Sequence, residues 1–396
     1  MKQFIILLIA LTIFSCSQPN ERPINQVVDE ALNFSTQQYL RMAEKYAGQD
    51  SILPRTFQNG KMVTSDSRWW TSGFFPGSLW YLYENTKDEK MLAFAKKYTA
   101  RVEREKYTTN NHDVGFILKC SFGNGLRLTG DTSYIQVMLT GAKSLATRYN
   151  PKVGLIRSWD SRKDVWQYPV IIDNMMNLEL MLWASETSGD PSFKQIALSH
   201  ADKTILNHYR PDFSCYHVVS YDTITGISHK KQTHQGYSDE SSWSRGQAWG
   251  LYGYTMMCKE TKEPRYLEQA QKIANFLISH PRMPQDFVPY WDFDAPGIPN
   301  EPRDASAASI MASALIELSQ LGDKDLATKY LSVAEKQIRS LASPAYTANL
   351  GENGDFILMH GVGSLPHKSE VDTPLTYGDY YYIEALVRYK KLMANR

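Results

Sequence analysis

Two aspartates stand where a pair of carboxylates could do acid–base work. Asp113 lies in His112-Asp113-Val114-Gly115-Phe116, and Asp173 in Ile172-Asp173-Asn174-Met175-Met176-Asn177. Each opens a stretch of helical periodicity, so a fold that gathers helix starts on one rim would bring the two together. One carboxylic acid can then deliver a proton while a carboxylate activates water, with no metal or cofactor in the scheme. No paired metal-ligand spacing occurs in the sequence, and none is expected to matter. An aspartate at a helix start is also a common N-cap, its oxygens spent on the helix's own N–H groups. The two readings differ in geometry: a cap is hydrogen-bonded to its helix, and a catalytic acid is free of it.

The elements that must position these residues are helices. About twelve segments carry helical periodicity, near 27–46, 72–87, 90–106, 114–129, 132–148, 173–188, 191–207, 239–261, 264–280, 303–321, 325–341 and 378–394. Some are ordinary amphipathic helices, such as 91–104 and 266–279. Others open with a Gly, Trp or Asp cluster and run on with small and apolar residues nearly all round. Trp70-Thr71-Ser72-Gly73-Phe74, Ser242-Trp243-Ser244-Arg245-Gly246-Gln247-Ala248-Trp249, Asp304-Ala305-Ser306-Ala307-Ala308 and Tyr377-Gly378-Asp379 are of this kind. A helix apolar all round has to be buried, so these predict an inner set wrapped by the amphipathic ones. The expectation is an all-α (α/α)6 toroid, a six-hairpin barrel with short β-hairpins in its loops. Tyr216 to His229 reads as one such hairpin, and 154–159, 287–293 and 354–359 as smaller extended pieces.

Taken together these clusters resemble glycoside hydrolase family 88, the unsaturated glucuronyl hydrolases. The likeness runs from about residue 65 to the C-terminus. It is carried by the motifs around Trp70, Asp113 and Asp173, by His217, by Gln235-Gly236-Tyr237 leading to Trp243-Ser244-Arg245-Gly246-Gln247-Ala248-Trp249-Gly250, and by Asp304-Ala305-Ser306-Ala307. The resemblance implies the toroid and a substrate with a 4,5-unsaturated uronic acid at its non-reducing end, as polysaccharide lyases produce. It also implies hydration of the C4=C5 bond, after which the hemiketal opens and the glycosidic bond is lost. In that scheme Asp173 corresponds to the acid/base. Asp113, the second carboxylate, grips ring hydroxyls and by like-charge proximity raises the pKa of Asp173. The Trp-x-Arg-Gly-Gln-Ala-Trp run and paired aspartates also resemble the unsaturated rhamnogalacturonyl hydrolases of pectin breakdown, although His217 with Gln235 fits the glucuronyl type better. A helical glycan-binding protein without turnover is the alternative from another class.

Further residues follow as substrate contacts. Arg245 would meet the uronate carboxylate with its planar fork, or else form a structural ion pair with Asp239 or Glu240. Trp70, Trp243 and Trp249 offer faces for sugar rings, or fill the core. The resemblance assigns His217 and Gln235 to the substrate, His217 beside the attacking water; Lys231 and Thr233 lie close before Gln235. Within the Gly/Pro-broken loop His360–Ser369, Ser364 and Lys368 could hold a sulfate, although His367 and the shifted lysine depart from the family's pattern.

The N-terminus predicts export. Met1-Lys2-Gln3, an apolar run Phe4–Phe14 and Ser15-Cys16 resemble a lipoprotein signal over 1–15, with acylation of Cys16 and a tether over 16–30; an ordinary secretory signal is the alternative. A membrane-anchored lipoprotein facing the periplasm is the expected location, and 31–396 the single catalytic domain. Among 396 residues the net charge is only +1, which argues against nucleic acid as a partner and makes recognition of an acidic oligosaccharide a local matter. Oligomeric state is not legible. Cys120, Cys215 and Cys258 have no framework spacing and are expected as buried thiols.

Overall fold

The computed structural model describes residues 22–395. Cys16 and the expected signal lie outside the described residues. The helices, in order, are α1 (Ile24–Tyr46), α2 (Phe74–Thr86), α3 (Glu89–Ala100), α4 (Val114–Leu118), α5 (Asn124–Thr129), α6 (Ser133–Ala146), α7 (Leu178–Ser188) and α8 (Pro191–His208). They continue with α9 (Ser244–Thr261), α10 (Pro264–Ser279), α11 (Ala305–Leu318), α12 (Lys324–Leu341) and α13 (Thr376–Ala394). The chain is thus predominantly helical, with a few short antiparallel sheets.

Helix starts follow local chemistry. Asp88, Asp190 and Asp323 accept N–H groups of α3, α8 and α12, and Pro191 and Pro264 sit in the first turns of α8 and α10. Gly130 and Gly189 end α5 and α7 in the left-handed region. Burial divides the helices as expected: α9, α11 and α13 are buried nearly all round, whereas α10 and α12 bury one face. Helix α13 packs against α2 and α11, α11 against α9, and α9 against α7 and the short 3-10 helix Ile172–Asn177. The latter packs on α4, and α2 meets the π-helical turn Lys119–Gly123 that joins α4 to α5.

Several boundaries differ from the sequence reading. Residues 24–30, expected as tether, are the first turns of α1, where Val27 and Val28 enter the core. The helix expected over 114–129 is broken by the π turn, and that over 173–188 starts as 3-10 helix. The strands are β1 (Leu53–Gln58), β2 (Lys61–Ser65), β3 (Tyr149–Asn150), β4 (Leu155–Ile156), β5 (Pro169–Ile171), β6 (Val218–Tyr221), β7 (Ser228–Gln232), β8 (Gly361–Ser364) and β9 (Ser369–Thr373). β6–β7 is the expected hairpin, extended to three strands by β5; β1–β2 and β8–β9 are hairpins the periodicity did not show. The stretch 354–359 holds no strand: Asn353–Asp355 is a 3-10 turn.

Candidate active site

The helix-opening acids sort themselves by hydrogen bonding. Asp304 caps α11, accepting from Ser306 N at 3.0 Å and Ser306 Oγ at 2.6 Å. Asp379 accepts from Ile357 N, Leu358 N and the Tyr39 hydroxyl. Asp113 precedes α4 but makes no cap bond from its side chain. Asp173 makes none either, and its buried Oδ2 has no protein partner. Two of the four acids are thus structural, and Asp113 and Asp173 are left free for chemistry. The capping explanation fails for both.

Close packing brings the pair together. Gly115 lies so near the 3-10 helix that a Cβ there would sit 2.6 Å from Asn177 Oδ1 and 2.7 Å from its Cα. Asn177 Oδ1 accepts from Phe116 N at 2.8 Å, which fixes the register of α4 against 172–177. Burial pushes the Asp113 carboxyl up to about 7, and the charge of Asp173 raises it further. Burial likewise pushes Asp173 up to about 7, opposed by Arg245 and by the Trp249 indole. Burial is therefore the leading cause for both acids, and the like-charge effect is felt at Asp113. Repulsion between like charges is mutual, so the expected coupling acts within the pair as a lesser cause beside burial. Either way the pair holds a proton near neutrality, as an acid catalyst must.

His217 completes the centre. Its Nδ1 accepts the backbone N–H groups of His234 and Gln235, both at 3.1 Å, so the neutral ring carries its proton on Nε2. That Nε2 lies 3.8 Å from Asp173 Oδ2, and neither atom has another protein partner. Burial and the neighbouring His234 hold the pKa of His217 well below its ordinary value. On the other side, buried His112 places Nε2 3.4 Å from Asp113 Oδ1, and burial lowers its pKa to about 3. Both carboxylates thus face neutral imidazoles.

The other expected contacts divide. Arg245 is 1 % exposed and pairs with Asp304 Oδ2 at 3.2 Å, while donating to the carbonyls of Val362 and of Gly363, the latter at 2.6 Å. Its partner is neither Asp239 nor Glu240, and its fork is committed to β8 instead of a ligand. Trp243 is sandwiched by His217, at 4.4 Å between ring centroids, and by the Arg245 guanidinium at 4.5 Å. Trp249 is fully buried against Phe116 and Tyr381, so it supports Asp173 and offers no face to a sugar. Trp70 is half-buried over Tyr377 at 4.9 Å, with part of its surface open.

Gln235 donates to Gly363 O at 3.0 Å, tying the loop of His217 to β8. Thr233 is a turn residue, its hydroxyl accepting from Gly236 N. Lys231 pairs with Val219 across β6–β7, on the face opposite Val218 and Gln232, and lies over Tyr216 at 4.9 Å. Gln232 is the residue that turns toward Trp166 on the site side, at 3.0 Å. Lys231 is therefore placed away from the aspartates by strand alternation. Ser364 Oγ is engaged with His367 Nδ1 at 2.7 Å, whereas Lys368 is exposed at the turn between β8 and β9. Sequence reasoning missed His112, Trp159, Trp166 and His234. Trp159 and Trp166 pack edge to face at 5.6 Å, and His234 stands 5.7 Å from Trp159. His112 and His234 each adjoin a residue already singled out, which is the signal that could have found them.

A cavity of about 640 Å³ lies elsewhere, lined by Lys119, Glu179, Lys259, Glu317 and Arg388 among others. Its charges are spent on one another, Lys119 with Glu179 at 3.4 Å and Lys259 with Glu317 at 3.1 Å.

A helical fold with two carboxylates free of capping bonds, Asp173 buried and Asp113 partly open, beside a neutral imidazole defines a glycosidase-type centre, and the chain belongs to glycoside hydrolase family 88, whose pattern it matches over residues 48–392. It is a glycoside hydrolase. It is 48 % identical to an unsaturated glucuronyl hydrolase of Formosa agariphila, over 83 % of this chain and 81 % of that one. Among solved structures it is similar to an unsaturated glucuronyl hydrolase specific for heparin, with TM-score 0.91, 46 % identity and coverage of 93 % and 98 %. Another unsaturated glucuronyl hydrolase, described with dGlcA-Glc-Rha-Glc, aligns with TM-score 0.84 and 29 % identity over 93 % and 97 %.

Proposed function

We propose that the chain removes a 4,5-unsaturated uronic acid from the non-reducing end of lyase-generated oligosaccharides of the glycosaminoglycan type. The observation that carries this is the convergence of His217 Nε2 and Asp173 Oδ2, both unpartnered, 3.8 Å apart. An oxygen placed about 2.8 Å from each is a water positioned for attack. Asp173, protonated near neutrality, gives its proton to C4. Water adds to C5 and loses a proton to the carboxylate just formed. Asp113 holds ring hydroxyls. The resulting hemiketal opens, expelling the second sugar as an alcohol; one water is consumed and no metal or cofactor takes part. Names and titles of relatives at 46–48 % identity, one specific for heparin, support the same substrate class. Lys368, exposed at the turn of the β8–β9 hairpin, is the group we assign to sulfate.

The same reading includes a six-hairpin toroid, supported by the pairwise packing of α13 on α2, α11 on α13 and α9 on α11. It includes export as a lipoprotein acylated at Cys16, supported by the apolar run and small residues before that cysteine. The activity is tested by adding the protein to unsaturated disaccharides and following the ultraviolet absorbance of the double bond. Persistence of that absorbance across glycosaminoglycan and pectin-derived disaccharides would remove the proposal. Loss of fatty-acid labelling in Cys16→Ser tests the anchor.

A further inference from the structure

The β8–β9 hairpin that closes the site also carries a second, unexplained arrangement on its outer side. Gly363 O receives Gln235 and Arg245 from the reacting centre. Directly opposite, the Glu370 side chain lies against Gly363, within 2.7 Å of where a Cβ would stand. Glu370 is buried, and its Oε1 accepts from Arg55 Nε at 2.6 Å. The Arg55 guanidinium is thereby laid flat over Trp69, 3.9 Å from its ring. Trp69 is 38 % exposed, one of the few large apolar side chains that are, and it directly precedes Trp70 at the site.

The buried Glu370 needs its arginine, and the ring under that arginine keeps 38 % of its surface open to solvent. Glu370 engages Arg55 through Nε, and the terminal nitrogens of the fork make no hydrogen bond among the described residues. A partly open aromatic ring stacked with a fixed guanidinium is the chemistry that takes a pyranose ring bearing a carboxylate. Strand β1, which carries Arg55, packs on β9, and Tyr377 packs under Trp70, so the platform adjoins the hairpin that holds Gly363.

We propose that Trp69 and Arg55 form an accessory subsite for a further acidic sugar of the leaving oligosaccharide, beyond the sugar attached to the unsaturated residue. The inference rests on the activity proposed above. It makes the protein a reader of fragment length: a tetrasaccharide reaches the platform and a disaccharide does not. One similar structure is described with a four-sugar ligand, dGlcA-Glc-Rha-Glc.

The test compares unsaturated disaccharide and tetrasaccharide from one lyase digest, using wild type, Trp69→Ala and Arg55→Gln. Wild type should show the lower KM for the tetrasaccharide. Trp69→Ala should raise that KM about tenfold and leave the disaccharide within about twofold. Arg55→Gln should do the same, with an added salt dependence lost relative to wild type. Equal losses on both substrates would show a structural role, and unchanged tetrasaccharide kinetics in Trp69→Ala would show no subsite; either overturns the proposal. Should Arg55→Gln fail to fold, Trp69→Ala alone decides, because its side chain is at the surface. Absence of turnover of either substrate by wild type would instead reject the activity, leaving tetrasaccharide binding to be read by calorimetry on Asp173→Asn.

Discussion

His217 turns Nε2 toward Asp173 Oδ2 at 3.8 Å because two backbone N–H groups, from His234 and Gln235, occupy its Nδ1. The loop thus selects the tautomer that can donate to the site. His217→Ala should lower kcat by about 10²–10³ with a smaller change in KM. Because burial holds this imidazole neutral, no ionisation of His217 should appear in the pH–rate profile between 6 and 8. A histidine-like limb that vanishes in His217→Ala would show the ring to be charged.

Asp173→Asn keeps the shape of the side chain and cannot cycle a proton. Turnover should fall at least about 10³-fold while binding of the disaccharide, read by calorimetry, persists. In the wild type kcat/KM should decline as pH rises through about 7, where the Asp113–Asp173 pair loses its shared proton. Retention of a few per cent of the rate by Asp173→Asn would remove the acid assignment.

Burial sets a stability consequence of opposite sign. Asp113 moves from an ordinary 3.8 to about 7 in the folded chain, so ionisation favours the unfolded state. The penalty is absent below pH 3.8, grows as pH rises toward 7 and is complete above it. Asp113→Asn should therefore stabilise the protein by roughly 1–3 kcal/mol at pH 8 and by almost nothing at pH 4. Thermal melts at the two pH values check this, and a variant less stable than wild type at pH 8 would contradict it.

Arg245→Lys reads the corrected role of that residue. Lysine retains charge opposite Asp304 but cannot reach both β8 carbonyls as a fork does. The expected outcome is a lower melting temperature, from a loss of about 2–4 kcal/mol, with kcat and KM both impaired on every substrate. A change in KM alone at unaltered stability would return Arg245 to direct ligand contact.

Gly115→Ala should separate α4 from the 172–177 turn, since the new methyl meets Asn177 backbone and side chain at 2.6–2.7 Å. A loss of about 1–3 kcal/mol is expected, together with a fall in kcat exceeding the rise in KM, because the aspartates are moved apart. Wild-type kinetics in a stably folded Gly115→Ala would mean that this contact does not set their spacing.

The primary sequence alone determined the helical class, the division into helices apolar all round and helices apolar on one side, and the short list headed by Asp113 and Asp173. Those properties live in residue type and in a period of 3.6, which local reading can recover. It did not show β1–β2 or β8–β9, whose strands are four to six residues long and half-covered by other elements, leaving little alternation to read. Nor could it say which helix-opening aspartates were caps: Asp304 and Asp113 look alike in one dimension. Only the tertiary structure gave Asp304 an arginine and left Asp113 without a cap bond. The same limit explains Arg245, whose partners lie 59 and 117 residues away. A guanidinium reads as a ligand contact until β8 is seen to fill its fork. Placement of Lys231 turned on one step of strand register, and the raised pKa of both aspartates on burial that the sequence does not display. These are properties of packing between distant segments, where free energies of desolvation and close approach are decided.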